Sequence, residues 1–256
     1  MTRSMMFLPA LLVALPSVAA INLATPASTY SETFDSLAAT GTANAWTNDS
    51  NLAGWSLFNL ANVAVATYRA NDGTSNTGAI YSYGTTGSSE RAFGGVASSG
   101  FSGWIALALT NTSGNAFDSV TLQFDCEQWR NGGNASLAAQ SMTLQYGYGA
   151  SFTAVSTWVS PGGSFDWASP VTTATGGAIN GNTAGTVPGR GGTLVTNWGA
   201  GDTLWVRWAE VNDAGNDHGL AIDNLRVSVT AVPEPGPAAL LFAGLATMAW
   251  RLRRRG

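Results

Sequence analysis

The feature that most constrains this chain is an alternation of apolar and polar residues in short runs. In one run, Val120, Leu122, Phe124 and Cys126 are separated by single residues, and the intervening face carries Gln123, Asp125, Glu127 and Trp129. Side chains of a β-strand point alternately to the two faces of a sheet, so the run predicts a strand with one face in a core. The same pattern predicts strands at residues 104–109, 142–148, 204–208 and 220–229.

Glycine- and asparagine-rich segments separate these runs, and no stretch between residues 21 and 231 has convincing helical periodicity. Short strands with frequent turns are typical of a sandwich or barrel. We therefore predict one all-β domain at residues 21–231, an antiparallel jelly-roll β-sandwich of two packed sheets. The turn signals lie at residues 71–73, 131–133, 161–163, 189–192 and 199–202.

The N-terminus has the three parts of a secretory signal peptide. Arg3 supplies a positive charge, residues 5–15 are mostly apolar, and Ser17 to Ala20 are small. Cleavage is predicted after Ala20, with Ala19 as the alternative. A retained anchor is disfavoured because the apolar run is short. Residues 1–20 therefore predict export of the chain.

The C-terminus joins a proline segment, an uncharged apolar run and a basic cluster. Pro233 and Pro235 interrupt regular structure, and residues 236–250 follow with no charge. As a helix this run is about 22 Å long, against a hydrocarbon core of about 30 Å. A buried core helix is the alternative, but terminal arginines lengthen a span by snorkelling and remain cytoplasmic, which favours a single transmembrane helix. The cluster consists of Arg251, Arg253, Arg254 and Arg255.

These three parts, in this order, resemble the PEP-CTERM sorting tail of exosortase substrates. The resemblance covers residues 232–256 and includes the motif Val232-Pro233-Glu234-Pro235. It implies processing near the motif by an exosortase-type membrane protease. It also implies transient residence in the inner membrane through the C-terminal helix, followed by release to the cell surface or an exopolysaccharide matrix.

The charge of the body excludes one class of partner. The chain has no lysine, and residues 21–231 contain six arginines against fourteen Asp and Glu, a formal charge of −8. Nucleic-acid binding depends on neutralising phosphates with cations, so nucleic acid is not expected as a partner. A divalent cation or a neutral extracellular polysaccharide is electrostatically easier. Cys126 is the only cysteine, so no intrachain disulfide is available.

Asp223 is the first candidate metal ligand. It alternates with Leu225 and Val227 in the last predicted strand, where an unpaired carboxylate would be costly. Its partner is therefore either a metal or a set of arginine and backbone donors. The segments "ETFDSL" and "LAIDNLRVS" resemble the first and last strands of MAM-like and carbohydrate-binding jelly-roll modules. This resemblance implies a structural Ca²⁺ held by Glu32, Asp35 and Asp223.

Other polar groups suggest ligand binding or ordinary structure. Trp129, beside Glu127 and Arg130, is a candidate platform for a sugar ring, although a tryptophan that fills a wide core is the alternative. His218 lies in an Asn- and Asp-rich loop, 212–219, whose side chains are suited to capping turns and also offer oxygens to Ca²⁺. No hydrolase motif accompanies it, so we expect no catalytic residue.

Three functions are compatible with these features. The first is a non-enzymatic, structural or adhesive protein of the cell surface or exopolysaccharide matrix, sorted by its tail. The second is a lectin-like carbohydrate-binding module. The third is a secreted glycan-active enzyme, which the absence of a recognisable carboxylate pair disfavours.

Overall fold

The computed structural model describes residues 20–231. The predicted sorting tail and nearly all of the predicted signal peptide lie outside the described residues. Within residues 20–231 no helix has the length and apolar character that a membrane crossing requires. The predicted transmembrane helix at 236–250 belongs to the segment outside this range.

The described chain is built from β-strands and two 3₁₀ helices of three residues each, as the sequence predicts. The 3₁₀ helices span Phe152–Ala154 and Gly163–Phe165. The strands, in chain order, are β1 Ile21–Leu23, β2 Thr29–Glu32, β3 Asn44–Ala45, β4 Trp55–Asn59, β5 Thr67–Asn71, β6 Ala79–Tyr83, β7 Ala92–Val96, β8 Gly103–Asn111, β9 Phe117–Asn131, β10 Ser141–Tyr148, β11 Trp167–Ala168, β12 Gly177–Ala178, β13 Thr186–Trp198, β14 Thr203–Glu210 and β15 Gly219–Thr230.

The strands form two sheets. The smaller has the order β1-β8-β14-β10-β11, with β4 also paired to β8; the larger has the order β12-β9-β15-β7-β6-β5-β3, with β13 on β9 and β2 on β15. The prediction of an all-β body with two sheets is confirmed. The prediction of a fully antiparallel arrangement is corrected, because β1 pairs with β8 and β5 with β6 in parallel.

The two sheets pack on each other through the alternating apolar residues identified in the sequence. Trp208 of β14 lies in this core, where it stacks on Trp55 at 5.8 Å between ring centroids and meets the edge of Phe124 at 5.7 Å. Trp205 lies on the opposite face of the same strand and packs against Phe152. The alternation of side chains along β14 therefore places Trp205 and Trp208 on opposite faces of the smaller sheet.

Strand β15 changes face at Asn224. This residue adopts a left-handed conformation with φ of 50°, and the register between β15 and β9 shifts between Asp223 and Arg226. Asparagine tolerates this conformation better than most residues, and such a bulge reverses which side chains face the core. Leu225 therefore faces the core, whereas Asp223 faces outward. The prediction that Asp223 shares a face with Leu225 is corrected by the bulge.

A second apolar layer covers part of the outer face of the larger sheet. Trp129, Tyr83, Tyr81 and Ala221 belong to it and are fully buried. Trp129 stacks on Tyr83 with a centroid distance of 6.0 Å and an interplanar angle of 1°. The loop at 179–185 lies over this layer, because Gly181 packs so closely on the Trp129 indole that a Cβ there would lie 2.4 Å from it. This layer forms the surroundings of the candidate site.

Candidate functional site

Three carboxylates meet on the outer face of the larger sheet. Glu127 comes from β9, Asp223 from β15, and Glu90 from the segment just before β7. One carboxylate oxygen of each lies within 4.8 Å of the others. Glu127 and Asp223 are 3% and 4% exposed, whereas Glu90 is half-buried. We call these three residues the carboxylate cluster.

The cluster has fewer hydrogen-bond donors than its oxygens require. Glu127 Oε2 accepts from the Trp129 indole Nε1 at 2.8 Å, and Glu90 Oε2 accepts from the side-chain amide of Asn182. The buried Oδ1 of Asp223 and Oε1 of Glu90 have no hydrogen-bond partner. Buried carboxylate oxygens normally accept hydrogen bonds, so two unpartnered ones in one cluster are suited to binding a cation or a proton.

Burial makes the charged forms of these acids unfavourable. Burial, together with the charges of Glu90, Asp223 and Asp125, raises the pKa of Glu127 to about 8, although the Trp129 hydrogen bond acts in the opposite direction. Burial likewise raises the pKa of Asp223 to about 7, with smaller contributions from Glu90, Asp35 and Asp125. The cluster therefore prefers to be neutralised, by protons or by a cation.

The register of two neighbouring strands brings the cluster together. Glu127 is paired with Ala221, and Asp125 with Asp223, so Glu127 and Asp223 lie two residues apart across the β9–β15 ladder. The bulge at Asn224 keeps Asp223 on the outer face. Because the cluster offers only carboxylate oxygens, its chemistry suits a hard cation such as Ca²⁺ and does not suit a soft metal.

Of the predicted metal ligands, only Asp223 lies in this cluster. Glu32 pairs with Leu225 and therefore faces the inner side of the sheet, where it accepts from the Phe34 N–H at 2.8 Å and the Tyr30 hydroxyl at 3.2 Å. Asp35 is exposed and accepts from the Arg91 N–H at 2.9 Å. The structure therefore does not bring Glu32 and Asp35 to Asp223, and Glu90 and Glu127 lie beside it instead.

The predicted sugar platform is also corrected. Trp129 is 0% exposed, so neither face of its ring is open to a ligand. Arg130 extends away from Glu127 and donates to the carbonyls of Gly73 and Thr74 at 3.1 and 3.0 Å. Trp129 and Glu127 instead form a buried hydrogen-bonded pair. Sequence alone missed Glu90, because its segment before β7 carries no periodic pattern.

The loop at 212–219 uses its polar groups for structure. Asp217 Oδ1 accepts from the Asp213 N–H at 2.9 Å, and Asn134 Oδ1 accepts from the Asn216 N–H at 2.9 Å. His218 is 1% exposed, with its Nδ1 at 3.1 Å from the Gln128 amide, and burial lowers its pKa. These contacts agree with the interpretation of this loop as one whose side chains cap turns.

Beyond the bulge, the outer face of the larger sheet is open and polar. Register places Thr193, Thr121, Ser228 and Thr29 in one row across β13, β9, β15 and β2. An adjacent row contains Gln123, Arg226 and Ser31. We call these two rows the polar face. An open groove of about 440 Å³ runs along it and is lined by residues of β2, β9 and β15.

No family model and no curated protein matches this chain. Solved structures give distant similarities. The xylan-binding domain CBM22-1 of Xyn10C from Paenibacillus barcinonensis is 10% identical, with a TM-score of 0.38 over 82% of this chain and 100% of that one. The K1 cleaved adhesin domain of Lys-gingipain from Porphyromonas gingivalis W83 is 13% identical, with a TM-score of 0.31 over 80% and 99%. An isomalto-dextranase from Arthrobacter globiformis T6, complexed with panose, is 11% identical, with a TM-score of 0.28 over 82% and 33%.

Proposed function

We propose that this chain is an exported, non-enzymatic β-sandwich that acts as an adhesive or structural protein by binding a neutral polysaccharide on its polar face. The observation that carries the proposal is the groove of about 440 Å³ along two rows of polar side chains. This proposal combines the predicted adhesive and lectin-like functions, because adhesion to a polysaccharide matrix requires a surface that binds sugars.

The polar face offers the groups that sugar hydroxyls need. The hydroxyls of Thr121 and Thr193 lie 2.7 Å apart. A hydroxyl pair uses one O–H internally and leaves one O–H and several lone pairs for a ligand. Gln123 and Arg226 are exposed in the adjacent row and add an amide and a guanidinium. Donors and acceptors held on a rigid sheet lose little entropy on binding, which favours affinity for a ligand that matches them.

The carboxylate cluster supports a non-enzymatic function. Glycoside hydrolases place two carboxylates on either side of the scissile bond, in a site that the sugar can enter. Here Glu127 and Asp223 are almost fully buried, and Asn182 of the 179–185 loop binds Glu90. Their burial leaves no room for a glycan between them.

Polysaccharide binding should depend on the polar face. We expect the Gln123→Ala/Arg226→Ala double variant to lose at least about tenfold in affinity for the neutral polysaccharide that the wild-type chain binds best, because two polar contacts are removed. Affinity electrophoresis against a panel of neutral glucans, mannans and xylans measures this. Val195→Ala is the matched control, because Val195 is 87% exposed on β13 and does not line the groove. Equal retardation of the double variant and the control would contradict the proposal.

The proposed sorting route predicts two new termini. We propose that the chain passes transiently through the inner membrane by its C-terminal helix, is processed by an exosortase-type protease, and then remains at the cell surface or in the extracellular matrix. Intact-mass spectrometry of the mature protein should show an N-terminus at Ile21 and loss of the tail near Pro233–Pro235. Recovery of the uncut chain from the cytosol would contradict the route.

A further inference from the structure

The carboxylate cluster has a role that polysaccharide binding does not explain. Two of its members, Glu127 and Asp223, lie on β9 and β15, which also carry part of the polar face on the other side of the Asn224 bulge. Two of its three members are almost completely buried, and two of its buried oxygens lack any hydrogen-bond partner. A purely structural cluster of acids would be expected to have donors for those oxygens.

We propose that Glu90, Glu127 and Asp223 bind one Ca²⁺ ion, which links β9, β15 and the segment before β7. This inference does not depend on the proposed polysaccharide binding. It rests on the convergence of the three carboxylates and on the unpartnered Oδ1 of Asp223 and Oε1 of Glu90.

The spacing of the oxygens fits a single calcium ion. Ca²⁺–oxygen distances are about 2.3–2.6 Å, so two ligands of one ion can lie up to about 5 Å apart. The three oxygens here lie within 4.8 Å of one another. Mg²⁺ needs shorter distances of about 2.0–2.1 Å and a stricter octahedron. With no histidine or cysteine among the three residues, a zinc-type site is disfavoured.

The charged residues around the carboxylate cluster do not balance its negative charge. The closest arginine in sequence, Arg91, donates its Nε to the Glu90 carbonyl at 2.7 Å and a second nitrogen to the Thr85 carbonyl at 3.4 Å. Its guanidinium bonds these two neutral carbonyls, and its single charge offsets only part of the negative charge of Glu90 and Asp35. Asp125 and Asp35 add further negative charge near Asp223. A divalent cation would neutralise this excess and occupy the unpartnered oxygens.

A bound ion would stabilise more than the three ligands. Glu90 accepts a hydrogen bond from Asn182, so the cluster is connected to the 179–185 loop that lies over Trp129. Glu127 accepts from Trp129 itself. Calcium would therefore hold together the strands, the loop and the outer apolar layer, and would fix the part of β15 from which the polar face continues.

Calcium titration of the purified, chelator-treated full chain tests the proposal. Isothermal titration calorimetry at pH 8 should show binding of one equivalent of Ca²⁺, and saturating Ca²⁺ should raise the Tm by about 5 °C or more. Mg²⁺ should bind at least about tenfold more weakly. Asp223→Asn and Glu127→Gln should each lower the Ca²⁺ affinity by at least about 100-fold, because each removes a charged ligand.

Matched controls locate the ion. Glu32→Gln and Asp118→Asn remove carboxylates from β2 and β9 that lie outside the cluster, and they should leave the Ca²⁺ affinity unchanged within about twofold. Glu90 is only half-buried, so Glu90→Gln still tests the site if Asp223→Asn or Glu127→Gln fails to fold.

Three results would overturn the proposal: absence of Ca²⁺ binding by the wild type, equal Ca²⁺ binding by Glu90→Gln, or tighter binding of Mg²⁺ than of Ca²⁺. A chain that binds polysaccharide but not Ca²⁺ would overturn this proposal and leave the proposed function standing. A chain that binds Ca²⁺ but not polysaccharide would support this proposal and contradict the proposed function.

Discussion

In chelator-treated buffer, the free energy of unfolding should fall by several kcal/mol as the pH rises from about 4 to about 9. The cause is the pair of buried acids whose pKa values rise on folding: Glu127 from 4.5 to about 8, and Asp223 from 3.8 to about 7. One pKa unit corresponds to about 1.4 kcal/mol, so each shift alone is worth between about 4 and 5 kcal/mol, and the two are coupled and do not simply add.

The direction follows from which state holds the protons. Since the folded state binds them more tightly, this stability is fully present below the unfolded pKa values near pH 4 and is lost as the pH rises through about 7 to 8. Glu90, Asp125 and Asp35 face the two acids and favour the same direction. A carboxylate whose pKa falls on folding contributes the opposite trend, because its charged form is the better stabilised one in the folded state.

Urea unfolding at about pH 5 and about pH 8.5 in the presence of chelator measures the effect. The Glu127→Gln/Asp223→Asn double variant is the control, since its amides cannot ionise. It should lose less stability than the wild type over this interval, and at pH 8.5 it should be the more stable of the two. The pKa of buried His218 is lowered, so its contribution is lost as the pH falls and is common to both proteins. A wild type more stable than the double variant at pH 8.5 without metal would contradict the prediction.

The alternation in β9 was sufficient to predict both its strand character and its core face. Val120, Leu122, Phe124 and Cys126 are all buried between the sheets. The same alternation placed Glu127 and Trp129 on the other face, which is correct. It could not show that this face is also covered, because the covering groups come from the distant 179–185 loop and from Tyr83 of β6. Whether a second layer covers a strand face depends on residues far away in the sequence, so the alternation within the strand cannot predict it.

The bulge at Asn224 explains why Asp223 does not lie on the face that the sequence predicts. A strict alternation through β15 places Asp223 beside Leu225, on the inner side of the sheet where Glu32 lies. One left-handed residue reverses this relationship. An Asp-Asn pair in a strand is a weak signal of such a bulge, since asparagine accepts positive φ more readily than most residues. No pattern in the sequence around Glu90 indicates its position. It reaches Asp223 and Glu127 because β7, which follows it, pairs with β15, and β15 pairs with β9.

Replacing Gly94 with alanine should destabilise the fold by more than about 3 kcal/mol. Gly94 lies in β7, between Ala221 of β15 and Tyr81 of β6. A Cβ at this position would lie 2.0 Å from the Leu220 carbonyl oxygen and 2.5 Å from the Ala221 Cα. Both are backbone atoms of a central strand, so they cannot yield as a flexible side chain would. The β7–β15 ladder must separate or shift, and the hydrogen bonds of two buried strands are weakened together.

Gly177→Ala is the matched control for this prediction. Gly177 is also a strand residue, in β12, but a Cβ there would meet no atom within 4 Å. Its substitution should change stability by no more than about 1 kcal/mol, and the smaller backbone entropy of the unfolded chain favours a gain. Urea midpoints of the two variants, measured with unchanged m-values, compare them directly. Similar midpoints would show that β7 and β15 are not packed as closely as the structure places them, and the position of Asp223 beside Glu127 would then need to be revised, because the same strand carries both contacts.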